Sequence, residues 1–540
     1  SLLDRTSKSA SLSPTPTLAP LSPTPTPPHH CRFPHTSLAC RVVSMLSSAL
    51  AALAVASDNP FSGATFYVQP SFQSKVDSSI ATAQGVTELK NLKTMRNTAT
   101  AFWVDKKAKI QGSSTDSLDG MLADAAKQSP APLVSIVVYN LPNRDCDSFN
   151  SVGEICCAYD AAGNCDRTAP GECTAGLKEY QGDFIDPIAT VLAKYEGKVP
   201  MVLVVEPDSL PNLATNLGNP NCANNATGNA YKQGVPYAVK ALKKAAPSST
   251  VYLDAAHGGW LGWPDNAQAF ATLVQLLEVD GLIRGFTTNV ANYQPLGTPC
   301  PASAFDKNMH SYCAGGSGGC CADPCGLITQ YNNGQNEYNY VQALTKELKR
   351  AIPKLTPHYI IDTGRNGVPD ARSSCSDWCN PRGEGAGHLP TADTAIPTVV
   401  DALFWIKPPG ESDGCAGNST TCACVHGDKM CRAADALGTR SGEPCPPEAG
   451  EWYDYEVKQL AQNAAFSGEG APPTHAPRAR ARPFQPCAAA GCIDGYACLG
   501  DVARCLPTPE TITRSAHSSP FATALAHDAK AHHRAVEEGA

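Results

Sequence analysis

No apolar run in this 540-residue chain reaches the roughly 18 residues needed to span a bilayer. Charge is also scarce. Asp, Glu, Lys and Arg make up 17% of the chain, and the net charge is −8. With no basic excess to attract phosphate, neither nucleic acid nor an anionic membrane is expected as a partner. There is no P-loop, no H-E-x-x-H helix and no nucleophile elbow around a candidate serine. The stretch GGSGG at 315–319 sits among cysteines and lacks the Lys-Ser/Thr that follows a phosphate loop. The cysteines lack the paired C-x2-C spacing of zinc ribbons, and no H-x3-5-H partner follows them. No cofactor and no metal is expected.

What the chain has in quantity is cysteine, with 24 residues, alongside 45 Pro and 43 Gly. So many thiols suit an oxidising compartment, where disulfides persist. Metal ligation is the rival reading, and the spacing argues against it. A hydrophobic content of 42% is enough for a large core. The length fits several domains or one barrel with extensions.

The two ends differ from the middle. Residues 1–44 are Ser/Thr/Pro-rich and are expected to be disordered. The stretch RVVSMLSSALAALAVAS at 41–57 reads as a signal peptide, with 45–56 as its apolar part and cleavage before Ser57. A buried helix is the alternative. Translation from Met45 would place the signal at an N-terminus; otherwise the Pro/Thr stretch is an interdomain linker. Residues 468–486 read as a linker, 487–505 as a small module with four cysteines, and 506–540 as a disordered tail. Asn225 and Asn418 open glycosylation sequons, consistent with a secreted, extracellular protein.

Residues 58–467 carry the main domain. Six apolar runs, at 134–145, 199–210, 250–260, 282–293, 358–367 and 402–414, each stop at a polar or aromatic cluster. The runs are continuous rather than alternating, as in strands buried on both faces. Helical stretches at 176–195, 230–246, 267–279 and 337–351 separate some of them. Strand then helix, repeated, predicts an α/β fold with parallel strands closing into a barrel. Its active site would lie at the C-terminal strand ends. The sequence puts Asp145, Asp208, Asp254, Arg365, Lys407 and Asp413 there. Trp260 and Trp263 follow one run, Tyr139, Tyr293 and Trp405 sit at other run ends, and Trp378 lies in a loop. Each is either a stacking face for a sugar ring or core packing. Several carboxylates with stacking aromatics suggest glycoside hydrolysis, which needs an acid for the leaving oxygen and a second carboxylate.

The ordered motifs VVYNLPNRDC (137–146), VVEPDSLPNLATNLGNPNC (204–222), YLDAAHGGWLGWPDN (252–266), NVANY (289–293), DTGRNG (362–367), DWCNPRGEGAG (377–387) and WIKPPGESDG (405–414) carry a resemblance to glycoside hydrolase family 6. This family cleaves β-1,4-glucan with inversion. The resemblance implies a distorted barrel of about seven parallel strands, roofed by long loops. It implies Asp208 as general acid, Asp145 as the residue that raises its pKa, and Tyr139 as a group crowding the sugar. Asp413 would be the candidate base, supported by Arg365 and Lys407. Asp254 would be a further acidic residue near the acid. Trp260, Trp263, Asn292, Trp378, Lys407 and Glu411 would contact glucan, and Cys146 and Cys222 would pair. Asp208 could instead cap a helix, and Asp413 could be a purely structural ion-pair partner. Asn140 and Asn143 stand where the family has acidic residues, and Phe66-Tyr67 where it has a stacking aromatic. The loops after Asp145 and Asp413, and segment 297–336, are long and cysteine-rich. Long stapled loops favour a tunnel, hence a cellobiohydrolase acting on cellulose from a chain end; a monomer is expected. An open-grooved endoglucanase and an impaired wall-binding protein are the alternatives.

Overall fold

Seven short strands form one parallel sheet in sequence order: β1 (Phe102–Val104), β2 (Val134–Val138), β3 (Met201–Val205), β4 (Thr250–Asp254), β5 (Gly285–Thr288), β6 (His358–Asp362) and β7 (Val400–Phe404). The computed structural model describes residues 59–316, 318–417, 422 and 424–468, together with the backbone of 496–499 and 504–507. The expected signal segment, Asn418, Cys487 and Cys492 lie outside the described residues.

The unbroken apolar runs have a direct cause. Alternate residues of each strand serve two different cores. Val137, Val202, Val204, Tyr252, Ile360 and Phe404 pack inside the curved sheet. Ile136, Val138, Leu203, Val205, Leu253 and Ile361 pack outward against the helices. The sheet curls until its ends meet at one bridge, Thr100 to Trp405. Ala101 N–H donates to the Trp405 carbonyl at 3.0 Å, and Trp103 Nε1 donates to the Ile406 carbonyl at 2.8 Å. This is the distorted seven-stranded barrel that the motifs imply.

The helix Asn225–Ala245 starts where the Asn224 side chain accepts from Thr227 N–H. The helix Pro264–Leu277 starts at a proline, which needs no N-terminal donor. One expected helix is interrupted. The stretch 176–195 forms Thr174–Glu179, a wider π-type turn over Tyr180–Ile185, and then Asp186–Tyr195. Pro187 has no N–H for a regular turn, and the widened segment accommodates it. Near the C-terminus, Tyr496–Leu499 pairs antiparallel with Arg504–Pro507, which sets Cys498 opposite Cys505. Among the described residues, no helix is long and apolar enough to cross a membrane.

Among the described residues nine disulfides join Cys146–Cys222, Cys156–Cys165, Cys157–Cys173, Cys300–Cys320, Cys313–Cys321, Cys325–Cys375, Cys379–Cys431, Cys415–Cys424 and Cys422–Cys445. All lie in loops or at helix ends outside the sheet. The close group Cys300, Cys320 and Cys321 is spent in two of these bonds.

Candidate active site

The C-terminal ends of β2, β3, β4 and β5 share one backbone property. Asp145, Glu206, Asp208, Ala256 and Asn289 all have positive φ without being glycine. Each such residue costs about 1–3 kcal/mol, and such strain gathers at functional sites.

After β3 the chain turns twice in this way, at Glu206 and Asp208. The second turn sets Asp208 before the helix Ser209–Thr215, but its side chain makes no capping bond. The capping alternative therefore falls away. Asp208 N–H donates to Asp254 Oδ2 at 3.0 Å, fixing the end of β3 to the end of β4. Burial, then the charges of Asp145 and Asp254, raise the Asp208 carboxyl well above the ordinary carboxylate range. Asp254 is buried, and burial lifts it to about 6 against hydrogen bonds from Asp208 and Ala256 N–H. Asp145 is also raised by burial, while Ser151, Arg167 and Asn212 partly offset the effect. Asn212 Nδ2 reaches Asp145 Oδ1 at 3.1 Å.

Tyr139 lies beside this cluster, and its own pKa is raised by burial and then by Asp145. Trp103 meets its ring edge-on at 5.4 Å. The Arg144 guanidinium covers its face at 4.3 Å and donates to its carbonyl at 2.6 Å.

A second cluster forms at the ends of β5, β6 and β7. Asp413 Oδ1 accepts from Arg365 at 2.8 Å. Its Oδ2 accepts from Tyr293 Oη at 2.6 Å and from Asn380 N–H at 3.0 Å. Arg365 lies over the Tyr293 ring at 4.3 Å. Burial opposes its charge, but Asp413, Tyr293 and Glu456 outweigh that and hold its pKa above its ordinary value. The expected pairing of Lys407 needs correction. Its ammonium pairs with Glu411 at 4.0 Å, across the turn closed by Glu411 N–H to Pro408 O. Glu411 also accepts from Lys75 at 3.0 Å. Lys407 lies 5.5 Å from the centre of Trp103, which in turn meets Tyr139, so these contacts bridge the two clusters across the seam.

The other expected contact residues differ in how far they are packed. Trp260 is half-buried, with Nε1 bound to Thr215 Oγ1 at 2.8 Å. Trp263 donates to the Gln330 carbonyl at 3.0 Å and lines a 180 Å³ hollow with Tyr331 and Asn308. Trp378 and Asn292 are half-buried, and Asn292 Oδ1 is 3.5 Å from Arg372 Nη1. Trp405 and Tyr293 are fully packed. The Trp405 indole donates to the His388 carbonyl, so it is core. Tyr293 serves Asp413. Tyr67 turns its hydroxyl to Asp124, and Phe66 packs on Phe61 and Phe404, so neither residue presents a free stacking ring. Asn225 is exposed at its helix start.

Asn140 and Asn143 are both buried. Asn140 Nδ2 donates to Glu154 at 3.0 Å. Asn143 donates to Thr227 and accepts from Cys157 N–H at 2.9 Å, anchoring the lengthened loop. Sequence reasoning missed Glu206, Arg144 and Glu456. Glu206 accepts from Asn140 and Leu141 N–H at 3.1 Å and from Tyr180 Oη at 2.7 Å, and burial lifts it to about 7. Its place in the Glu-Pro-Asp triplet was the available signal.

The two loops that carry Asp145 and Asp413 meet. Phe149 N–H donates to Asp428 Oδ2 at 3.0 Å, and Asn150 Nδ2 donates to the Asp413 carbonyl at 3.2 Å. A Cβ on Gly414 would lie 2.4 Å from the Asn150 side chain, so glycine is what lets them touch.

Known proteins are similar to this chain in sequence and fold. The model of the family described as Glycosyl hydrolases family 6 matches residues 61–315 and 318–464. Exoglucanase 3 of Agaricus bisporus is 36% identical over 410 residues, covering 75% of this chain and 79% of its own. The 1,4-beta-D-glucan cellobiohydrolase C of Emericella nidulans is 36% identical over 424 residues, covering 76% and 79%. Among solved structures, CcCel6C of Coprinopsis cinerea, a glycoside hydrolase family 6 enzyme, superposes with a TM-score of 0.60 at 31% identity, covering 76% of this chain and 99% of its own. This chain belongs to glycosyl hydrolases family 6.

Proposed function

We propose that this protein is a secreted, inverting cellobiohydrolase that cleaves β-1,4-glucosidic bonds of cellulose from a chain end. The observation that carries the exo reading is the contact between the Asp145 loop and the Asp413 loop, at Phe149–Asp428 and Asn150–Asp413. Loops joined across a cleft make a roof, and a roofed cleft takes a chain by its end.

In this reading, the raised pKa of Asp208 keeps its proton on at working pH, and the carboxyl gives that proton to the departing glycosidic oxygen. A water attacks the anomeric carbon from the opposite face, and its proton leaves through Asp413 or by a relay that includes Asp145. One β-linkage is broken, one water is consumed, and the new reducing end is α. Tyr139 crowds the ring at the cleavage point. Trp260, Trp263 and Trp378 offer stacking faces, while Asn292, Lys407 and Glu411 offer polar contacts. The protein works as a monomer.

Timed product analysis on cellohexaose, with chromatography that resolves anomers, tests this. Wild type should release α-cellobiose first, and Asp208→Asn should lose about 10²–10⁴-fold in kcat. A β-product would overturn inversion. A fast viscosity loss of carboxymethyl cellulose with little cellobiose would overturn the exo reading. Binding without turnover by wild type would leave a wall-binding protein.

A further inference from the structure

The helix Asp454–Gln462 brings one buried carboxylate to the Asp413 cluster that no part of the reaction above uses. Glu456 is only 1% exposed. Its Oε1 is 3.3 Å from Tyr293 Oη and 3.5 Å from Arg365 Nη1. Both groups also hold Asp413, at 2.6 and 2.8 Å, alongside Asn380 N–H. Two carboxylates therefore share one guanidinium charge, both through Arg365 Nη1, and contend for one hydroxyl proton.

The hydroxyl has a single proton, and the shorter distance assigns it to Asp413. The Tyr293 oxygen is then free to accept. A protonated Glu456 can donate to it, giving a chain from Glu456 through Tyr293 to Asp413. An ionised Glu456 cannot donate, and it draws both Tyr293 and Arg365 toward itself. The charged and titratable groups facing Glu456 are Arg365 after β6, Tyr293 after β5, Asp413 and Lys407 after β7, and Tyr453 on the preceding turn. One positive guanidinium and a buried ammonium do not supply separate partners for both carboxylates, because Lys407 is paired with Glu411.

We propose that Glu456 is a positioning residue for Asp413: protonated, it leaves Arg365 and Tyr293 to Asp413, and ionised, it pulls them away and switches activity off. The inference rests on the proposed glucan hydrolysis. Burial, partly countered by Arg365 and then reinforced by Asp413, lifts Glu456 to about 7, which places the switch near neutrality.

The test uses Glu456→Gln, an isostere of the protonated form, in the full chain. Activity of wild type and variant on cellohexaose is followed from pH 4.5 to 8.5, with Tm read at each pH. Wild-type kcat/KM should fall as pH passes about 7. In the variant that fall should move up by a pH unit or more, so that the ratio of activity at pH 8 to that at pH 5 rises several-fold. At pH 5 the variant should keep at least a third of wild-type kcat/KM. Superimposable profiles would overturn the proposal. So would a folded variant that is inactive at pH 5. If neither protein cleaves glucan, the hydrolase reading fails, and Tm decides the rest. A carboxyl raised on folding contributes stability below its unfolded pKa, and this is lost as pH rises through its folded value. The variant should therefore gain Tm on wild type between about pH 4.5 and 7. A constant difference would overturn the competition for Arg365 and Tyr293.

Discussion

Asn140 shows how an amide donor suits a site that a carboxylate would disturb. Its Nδ2 donates to Glu154 Oε1 at 3.0 Å, and its N–H donates to Glu206. An Asp here would replace a donor with a second acceptor between the buried Glu206 and the exposed Glu154. Asn140→Asp should therefore cost about 1–3 kcal/mol at pH 7, through the lost donor to Glu154 and the buried like charge set beside it. The sign follows from linkage: the new carboxyl would have its folded pKa raised by burial and like charge. Its penalty would be absent below an unfolded pKa of about 3.9 and would grow as pH rises. Melting at pH 4.5 and 7.5 checks this, and a deficit equal at both pH values would refute it. Single residues also set the limit of reading the site from sequence. Asp145, Asp208 and Asp413 were legible because each ends an apolar run, where a carboxylate has no packing reason to be. Glu206 was not, because the triplet Glu-Pro-Asp offers two carboxylates and only the fold shows that the first is spent on backbone N–H groups. Glu456 was not, because it sits in a polar helix 43 residues after Asp413.

At the scale of elements, the proposed roof depends on loops rather than on strands or helices. Asp428 is its most economical fastening. One of its oxygens accepts Phe149 N–H at 3.0 Å, and the other accepts Met430 N–H at 2.8 Å. Asp428→Ala removes both bonds, at a cost to global stability of about 1–2 kcal/mol. The larger effect should be local, since loop opening is governed by the few bonds that close it. The ratio of carboxymethyl cellulose viscosity loss to released cellobiose should rise several-fold over wild type. An unchanged ratio would mean that the roof is held elsewhere. Strands β2 to β7 could be read from their apolar runs. β1 could not, because Phe102–Val104 is three residues long and its neighbours Thr100 and Ala101 pair only at the seam. That short strand matters, since Trp103 links Lys407 to Tyr139.

For the whole molecule, the disulfides tie the loops to the barrel, and their effects should separate by loop length. Sequence alone left the pairing open because the fold, not the spacing, decides which cysteines meet. Cys156–Cys165 and Cys415–Cys424 close loops with a separation of 9 residues, whereas Cys146–Cys222 closes one of 76. Loop-closure entropy grows with the logarithm of length, so the long bond should stabilise by about 2–5 kcal/mol and each short one by less. For a domain of this size each kcal/mol moves Tm by roughly 1 °C. The double variant Cys146→Ser/Cys222→Ser should thus melt about 2–5 °C below wild type in calorimetry. Cys146 adjoins Asp145, so kcat should fall as well, through freedom of the Asp145 turn rather than loss of a reacting group. The Cys415–Cys424 bond starts two residues after Asp413 and closes a short loop, so in the Cys415→Ser/Cys424→Ser variant Tm should fall less, with a loss of kcat as well. Equal Tm losses in the two variants would show that chain entropy is not what these bonds contribute, and would assign their stabilisation to contacts in the folded loops.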